Sequence, residues 1–271
     1  MKTKIIILTL LMVLVTGCNL FNQPVEHNIY VDEPSNQELK VGAWNVQVFG
    51  KTKLAKPGFK YNFEEVLNTF DLLAIQEIRD ASGGVVSYLE SINGFDSVCS
   101  ERLGRSTSKE QYCVLYDNNF VLKDSRVFPD SNDKFEREPF IAYFEGAGKD
   151  FIVLVVHVKP SQATAEIKEL QGVIDYAKRL YFDEDFILMG DLNADCSYYD
   201  EGLHYLRDYE WYVGNDVDTT VSKNTCTYDR IISSMDLGDA NAYRFDMVHE
   251  LRGMSVKEVS DHYPVYTKIN T

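Results

Sequence analysis

The chain has 271 residues, 45% of them hydrophobic, and a formal net charge of −15. This length and apolar content suit one large globular domain with a substantial core, and the lack of a fixed-period repeat or heptad run excludes a solenoid and a coiled coil. The acidic charge argues against passive, charge-driven binding to nucleic acid, because such binding depends on lysine and arginine displacing counterions from phosphates.

The N-terminus has the pattern of an export signal. Lys2 and Lys4 precede an apolar run over residues 5–15. This run is shorter than the ~20 residues that a membrane-spanning helix needs. We therefore expect a signal peptide over residues 1–17 that is removed during export.

A cysteine follows this signal. The segment Val15-Thr16-Gly17-Cys18 is similar to a bacterial lipobox, which predicts lipid on Cys18 and a membrane-anchoring tether over residues 18–38. An ordinary signal peptide with a chance cysteine is the alternative. Asn19 stands where an aspartate typically retains a Gram-negative lipoprotein in the inner membrane. We therefore expect a cell-envelope lipoprotein at the outer membrane or cell surface, with extracellular release as a further option.

Eight segments have the apolar pattern of β-strands. They are Lys40–Phe49, Leu72–Ile75, Tyr112–Tyr116, Ile141–Phe144, Phe151–His157, Phe186–Asp191, Arg230–Ser233 and Pro264–Ile269. Val46 and Val48 are among the apolar positions of the first. The fifth and sixth are almost continuously apolar, as central strands covered on both faces are.

Helical patterns lie between these strands. Residues 164–180 carry an apolar stripe at Ile167, Leu170 and Ile174, which predicts a helix that covers a sheet. Residues 64–70 and 83–92 are shorter helix candidates. Alternation of strands and helices predicts α/β layers in one domain over residues 39–271.

Four short segments place metal-ligating or proton-transferring side chains at the ends of apolar runs. They are Trp44-Asn45, Gln76-Glu77, Gly190-Asp191-Leu192-Asn193 and Ser260-Asp261-His262-Tyr263-Pro264. Glu77 and Asn45 offer the oxygen ligands that Mg²⁺ prefers, and Asp191, Asn193 and Asp261 can complete an acidic floor. Each segment alone would be read as an ordinary turn or a surface carboxylate. Together they predict a hydrolase site.

Two histidines are candidates for proton transfer. His157 ends the strand Phe151–His157, and His262 lies in the last of the four segments. Imidazole changes its charge near neutral pH, which suits a catalytic acid or base. His27, His204 and His249 match no motif, and we expect them to be structural.

These segments, in this order and with Leu154-Val155-Val156-His157 between the second and third, resemble the endonuclease/exonuclease/phosphatase superfamily and, within it, the deoxyribonuclease I family. The resemblance runs from about Lys40 to Ile269. It implies a four-layer α/β sandwich, in which two mixed β-sheets pack face to face with helices on both outer faces. The resemblance implies a Mg²⁺-dependent endonuclease that cuts DNA to 5′-phosphate and 3′-hydroxyl ends. Together with the N-terminal signal and the lipobox, it predicts that this enzyme is exported and lipid-anchored. DNA and a membrane are then its partners, and no obligate protein partner is evident.

The resemblance also assigns roles to individual residues. Glu110 matches the carboxylate that backs His157, and Asp229 matches the one that backs His262. We assign His262 as the base that activates water and His157 as the acid for the leaving oxygen, with the reverse left open. Further matches are Asp191 and Asn193 as catalytic residues and Arg79, Arg137 and Asn193 as substrate contacts.

Cations and disulfides follow from the same resemblance. Mg²⁺, with Mn²⁺ as a substitute, is the expected catalytic cation. A structural Ca²⁺ site matches Asp218, Thr220, Ser222 and Asn224, where a chance polar loop is the alternative. Cys196 and Cys226 match a family disulfide, which leaves Cys99 and Cys113 as the second pair. A zinc site is disfavoured because no CxxC pair exists and the histidines are scattered.

Two departures and two rival functions remain. Ser108 replaces a family tyrosine that contacts DNA, and Gln111 replaces an arginine. These replacements predict weaker contact with DNA. One rival is a sphingomyelinase-like phosphodiesterase or phosphatase acting on lipid headgroups, against which the matches around Glu110 and Arg137 count. The other is a non-catalytic surface binding protein with the same fold, which would be expected to lose metal or histidine residues that this chain keeps.

Overall fold

The computed structural model describes residues 38–203 and 205–270. The expected signal peptide, the lipidation site Cys18 and residues 19–37 of the expected tether lie outside this range, as do His27 and His204. The first strand begins at Glu38, the last residue assigned to the tether. Within the described range, no helix has the length and apolar character needed to cross a membrane.

Twelve strands and six helices make up the described chain. The strands are β1 (Glu38–Phe49), β2 (Leu72–Ile78), β3 (Asp96–Cys99), β4 (Gln111–Tyr116), β5 (Phe120–Val127), β6 (Phe140–Gly146), β7 (Lys149–His157), β8 (Phe186–Asp191), β9 (Glu210–Trp211), β10 (Asp229–Ser233), β11 (Asn241–Ala242) and β12 (Val265–Asn270). The helices are α1 (Lys51–Leu54), α2 (Phe59–Leu67), α3 (Gly84–Leu89), α4 (Ala163–Tyr181), α5 (Phe245–Val248) and α6 (Val256–Val259), with 3₁₀ turns at Pro160–Gln162 and Glu201–Leu203.

The strands form two six-stranded mixed sheets. The first has the order β11-β12-β1-β2-β4-β3 and the second the order β5-β6-β7-β8-β10-β9. In each sheet one central pair is parallel, β1 with β2 and β7 with β8. The other pairs are antiparallel.

Three apolar clusters show how the layers stack. The inner faces of the two sheets share one core, in which Val41 and Val114 of the first sheet lie with Val153 and Met189 of the second. The outer face of the first sheet packs against α2, α3, α5 and α6, and that of the second packs against α4. The predicted four-layer sandwich is confirmed.

The amphipathic pattern of residues 164–180 correctly predicted the longest helix. In α4 the apolar stripe is buried, whereas Lys178 and Arg179 lie in the last turn, where positive charge complements the helix dipole. The two shorter helices differ from their predicted bounds. The α2 helix starts at Phe59 rather than residue 64, and α3 covers Gly84–Leu89 rather than residues 83–92.

Candidate active site

Strand register brings the predicted catalytic residues to one edge of the sandwich. In the second sheet, Asp191 at the end of β8 is paired with His157 on the parallel strand β7 and with Asp229 on the antiparallel strand β10. On β1 of the first sheet, Asn45 directs its Nδ2 to Asp191 Oδ2 at 2.9 Å. The site therefore joins the two sheets at the ends of their central strands.

Two histidine–carboxylate pairs face each other across Asp191. His157 Nδ1 lies 2.9 Å from Glu110 Oε2, and His262 Nδ1 lies 2.8 Å from Asp229 Oδ2. The Nε2 atoms of both imidazoles lie 3.6 Å from Asp191 Oδ2. Because each Nδ1 is held by a carboxylate, each ring directs Nε2 toward the space beside Asp191.

Glu110 remains ionised although it is buried. Burial favours its protonated form, but the charges of His157, Arg137 and Arg79 outweigh burial and lower the pKa of Glu110 to about 2. Burial likewise opposes the charge on His157, yet Glu110 and Asp191 raise the pKa of His157 above its ordinary value. The pair therefore favours an imidazolium next to a carboxylate.

The second pair has a different balance. Asp229 is fully buried, and burial raises its pKa to about 6 although His262 pulls it downward. Burial opposes the charge on His262, but Asp229 and Asp191 outweigh it and raise the pKa of His262 to about 10. In both pairs the surrounding carboxylates therefore favour the protonated imidazole.

Asn45 links two of the other predicted metal ligands, and the fourth, Asp261, lies beside His262. Glu77 Oε1 and Asp191 Oδ2 both lie within 3.2 Å of Asn45 Nδ2. Within the described residues, Asp261 Oδ1 is buried without a hydrogen-bond partner, and it lies 3.8 Å from His262 Nε2. Carboxylates and one free buried oxygen fit a hard divalent cation. Asn45, in contrast, presents its amide nitrogen to the carboxylates.

Asn193 lies in the site but supports the backbone. It has a left-handed φ of 48°, and its Nδ2 donates to the Val158 carbonyl at 2.9 Å. Its own N–H donates to Asp191 Oδ1 at 3.0 Å. This geometry holds the turn after β8, and direct contact of Asn193 with substrate stays a prediction.

The two predicted substrate arginines differ in exposure. Arg79 is 28% exposed, pairs with Glu77 at 3.1 Å and donates to Ser108 Oγ at 3.3 Å. Arg137 is only 9% exposed, pairs with Glu110 at 2.7 Å and donates from Nε to the His157 carbonyl at 3.0 Å. Arg137 therefore orients the first histidine pair, and its contact with substrate stays a prediction.

Several supporting residues lie outside the motifs that suggested the site. Tyr112 Oη accepts the His157 N–H at 3.0 Å. The fully buried Glu166 of α4 accepts the N–H groups of Glu136 and Lys159, which precede Arg137 and follow His157. The only sequence signal for Glu166 was its position in the first turn of a predicted helix. Acidic residues are common there because they interact favourably with the helix dipole, so this signal did not point to the site.

Both expected disulfides are present. Cys99 pairs with Cys113 and Cys196 with Cys226. The first links β3 to β4 at the base of the loop that leads to Glu110. The second links the segment after Asp191 to the segment before Asp229. Each disulfide therefore restrains a chain segment next to a residue of the candidate site.

The expected calcium ligands converge in one loop. Thr220 Oγ1 lies 3.1 Å from both Asp218 Oδ1 and Ser222 Oγ and 3.0 Å from the Asn224 carbonyl. Asn224 thus contributes its backbone oxygen rather than its side chain. This oxygen cluster has the ligand chemistry that Ca²⁺ prefers, and Ca²⁺ binding stays a prediction.

Known proteins match this chain in sequence. A model of the endonuclease/exonuclease/phosphatase family matches residues 42–262. Deoxyribonuclease gamma of Rattus norvegicus is 33% identical over 263 residues, which cover 86% of this chain and 85% of that protein. Deoxyribonuclease-1 of Bos taurus is 33% identical over 255 residues, which cover 84% of this chain and 90% of that protein.

Solved structures of lower identity share the fold. A truncated TDP2 from Caenorhabditis elegans superposes with a TM-score of 0.61 at 15% identity, covering 86% of this chain and 98% of that one. A mannosyl-6-phosphatase from Bacteroides thetaiotaomicron superposes with a TM-score of 0.62 at 15% identity, covering 85% and 99% of the two chains.

The fold, the site and the sequence matches agree. Two face-to-face sheets with opposed histidine–carboxylate pairs at their edge fit a phosphoester hydrolase. The family match and the deoxyribonuclease relatives support action on phosphodiester bonds. The chain belongs to the endonuclease/exonuclease/phosphatase family, as a deoxyribonuclease I-like member.

Proposed function

We propose that this protein is a divalent-cation-dependent endonuclease that hydrolyses DNA phosphodiester bonds to 5′-phosphate and 3′-hydroxyl ends. The observation that carries the proposal is the pair of imidazoles that face each other across Asp191, each with Nε2 3.6 Å from Oδ2. In-line displacement at phosphorus needs a proton acceptor for water and a proton donor for the leaving oxygen. The relatives named deoxyribonucleases support DNA as the substrate.

The two histidines have separate roles in this proposal. His262 takes the proton of the attacking water at Nε2, while Asp229 holds Nδ1 and stabilises the imidazolium that forms. His157 gives a proton to the leaving 3′ oxygen, and Glu110 holds its ring in place. Asp191 contacts both rings, so it orients them toward one phosphate. The reverse assignment of acid and base is the alternative.

Glu77, Asp191 and Asp261 would hold Mg²⁺, with Asn45 as a further ligand and Mn²⁺ as a substitute. A cation bound there would supply Lewis-acid polarisation of a phosphoryl oxygen and would lower the pKa of the nearby imidazoles. The buried Oδ1 of Asp261, which has no partner among the described residues, supports this assignment. The chain's own residues then orient the substrate and move the two protons.

A basic loop next to the site supports binding of a polyanion. The segment 101–109 between β3 and β4 carries Arg102, Arg105 and Lys109, and Ser108 in the same loop contacts Arg79. Lysine and arginine neutralise phosphates, and arginine does so with two parallel hydrogen bonds. We propose that this loop and Arg79 grip the DNA backbone, while Arg137 positions the site.

Export and anchoring complete the proposal. We propose that lipid on Cys18 holds the enzyme at the cell envelope, and two disulfides suit an oxidising compartment. Fractionation of cells that express the full chain tests this. The wild type should be in the membrane fraction, and a Cys18→Ser variant should be in the soluble fraction. Equal partition of both proteins would contradict lipid anchoring.

The nuclease proposal is tested by nicking of supercoiled plasmid. The chain from Asn19 onward should nick DNA with Mg²⁺ and stop when a chelator is added. His157→Ala and His262→Ala should each abolish nicking. His249→Ala is the matched control, because His249 contacts Tyr243 at 2.8 Å, away from the site, and it should keep wild-type activity.

Two outcomes would contradict the nuclease. If the folded wild type leaves DNA intact but releases phosphocholine from sphingomyelin vesicles, the substrate is a lipid headgroup. If neither substrate is cleaved with Mg²⁺ or Mn²⁺, the chain is a binding protein that keeps the fold.

A further inference from the structure

A β-bulge interrupts β1 beside the acidic floor. Asn45 is paired with Gln76 on β2, and the next pair is Phe49 with Ile78. Residues 46–48 therefore stand opposite Glu77 alone. Bulges next to active sites re-aim side chains and backbone groups, so the contacts made by these residues are informative.

The bulge has an unfavourable backbone conformation. Gln47 and Val48 follow each other with φ values of 38° and 50°, in the left-handed region that costs non-glycine residues about 1–3 kcal/mol each. A β-branched residue is an outlier there. Val48 is also 52% exposed, so packing of its side chain offsets little of the cost. Other contacts of the bulge must stabilise this conformation.

Those contacts go to the predicted metal ligands. Gln47 N–H donates to Asn45 Oδ1 at 2.9 Å, and Val48 N–H donates to Glu77 Oε2 at 2.7 Å. The Gln47 side chain donates from Nε2 to Asp261 Oδ2 at 2.6 Å. Two adjacent residues therefore contact three of the four side chains assigned to the cation.

The Gln47 amide leaves one oxygen of Asp261 available. Oδ2 accepts the amide, whereas Oδ1 is buried and has no hydrogen-bond partner within the described residues. A carboxylate fixed through one oxygen cannot rotate freely, so its other oxygen keeps one direction. Groups that orient a metal ligand in this way raise metal affinity, and losing one typically costs about 10–100-fold.

We propose that Gln47 is a positioning residue for the catalytic cation: the strained bulge of β1 directs its amide onto Asp261 and so sets the affinity of the site for a divalent ion. This inference rests on the proposed function, because it takes Asp261 as a ligand. Gln47 acts through Asp261, and its removal should therefore weaken cation binding more than it weakens DNA binding.

The test is titration of Mg²⁺ into metal-free protein, followed by calorimetry. Gln47→Ala should bind Mg²⁺ about tenfold more weakly than the wild type, and Asp261→Asn identifies the binding event that belongs to this site. Gln171→Ala is the matched control, because Gln171 also donates its amide to an aspartate, Asp175 at 2.8 Å, on helix α4. This control should bind Mg²⁺ as the wild type does.

Nicking assays separate positioning from substrate contact. Gln47→Ala should need about tenfold more Mg²⁺ for half-maximal nicking, while its KM for DNA at saturating Mg²⁺ stays unchanged. Unchanged Mg²⁺ affinity in a folded Gln47→Ala protein would overturn the inference, as would a raised KM for DNA with the Mg²⁺ requirement unchanged. If the wild type binds Mg²⁺ and Gln47→Ala weakens binding, but no protein nicks DNA, the inference stands and the nuclease proposal fails.

Discussion

Ser260 links the two halves of the site, and its removal should affect both stability and turnover. Its hydroxyl donates to the Asn45 carbonyl at 2.6 Å and accepts the His262 N–H at 3.1 Å. The side chain is fully buried, so water cannot replace either bond without rearrangement. The sequence motif contained Ser260 but gave no reason to single it out.

The cost of Ser260→Ala follows from these two bonds. A buried backbone group that loses its partner costs about 1–3 kcal/mol, and alanine leaves two such groups. We expect a loss of about 2–6 kcal/mol in the free energy of unfolding, or roughly 4–24 °C in Tm for a domain of this size. Displacement of His262 or Asn45 by a fraction of an ångström should lower kcat by about tenfold or more.

Ser233, at the end of β10 that is farther from Asp229, provides a matched control. It is also buried, donates to the Phe186 carbonyl at 2.6 Å and accepts the Met235 N–H at 2.9 Å. Ser233→Ala should therefore destabilise the fold by a similar amount, while kcat stays within about twofold of the wild type.

The two variants, Ser260→Ala and Ser233→Ala, are compared by urea unfolding and by plasmid nicking at saturating Mg²⁺. Both assays are run at a temperature well below the lowest Tm. A Ser260→Ala protein within about 0.5 kcal/mol of the wild type would refute the stability argument. Equal loss of turnover in both variants would refute the claim that Ser260 acts on the site rather than on the fold.

Four further predictions concern the rest of the molecule. Phe182 directly follows α4, has a φ of 53° and is 96% exposed. Phe182→Gly should therefore raise the free energy of unfolding by about 1 kcal/mol in a thermal melt, since glycine adopts this conformation without strain. The lowered pKa of Glu110 means that its stabilisation is present above its ordinary value of 4.5 and is lost as pH falls toward about 2; the stability difference between wild type and Glu110→Gln should shrink over that interval in acid unfolding curves. Replacing Cys196 and Cys226, which are 30 residues apart, by serine should cost about 3.5 kcal/mol in urea unfolding. Ca²⁺ should raise the Tm of the wild type but not of Asp218→Asn.

The sequence predicted the central strands well, together with the polar residues at their ends. Residues 151–157 and 186–191 were read as covered strands, and they are β7 and β8 with His157 and Asp191 as their last residues. A continuous apolar run has few alternatives to a central strand, and its first polar residue marks the edge of the sheet. The candidate site could be proposed from the sequence because its residues stand at those edges.

A polar contact with a residue distant in the sequence hid the start of α2. Asn62 is buried, donates to the Arg252 carbonyl and accepts the Arg252 N–H. A polar residue in the buried stripe interrupts the apolar period, so the predicted helix began at residue 64. The partner lies 190 residues away in the sequence, and no local pattern contains it.

The bulge of β1 could not be predicted from the periodicity of apolar residues, for a related reason. Alternation of apolar residues counted Val48 with Val46 as part of a regular strand, but Val46 is buried and Val48 is 52% exposed. The insertion turns Val48 outward because its N–H contacts Glu77 on another strand. A contact between strands can therefore override the local pattern where the site needs it.

Net charge is a poor guide to the surface that is proposed to meet DNA. The charge of −15 opposes passive attraction of DNA over long distances, yet the cations near the site are held in place by the acidic residues themselves. Arg79 pairs with Glu77, and Arg105 pairs with Asp133. Such pairing orders the arginine side chains before substrate arrives, which lowers the entropy lost on binding. An acidic protein can therefore present ordered arginines beside its candidate site.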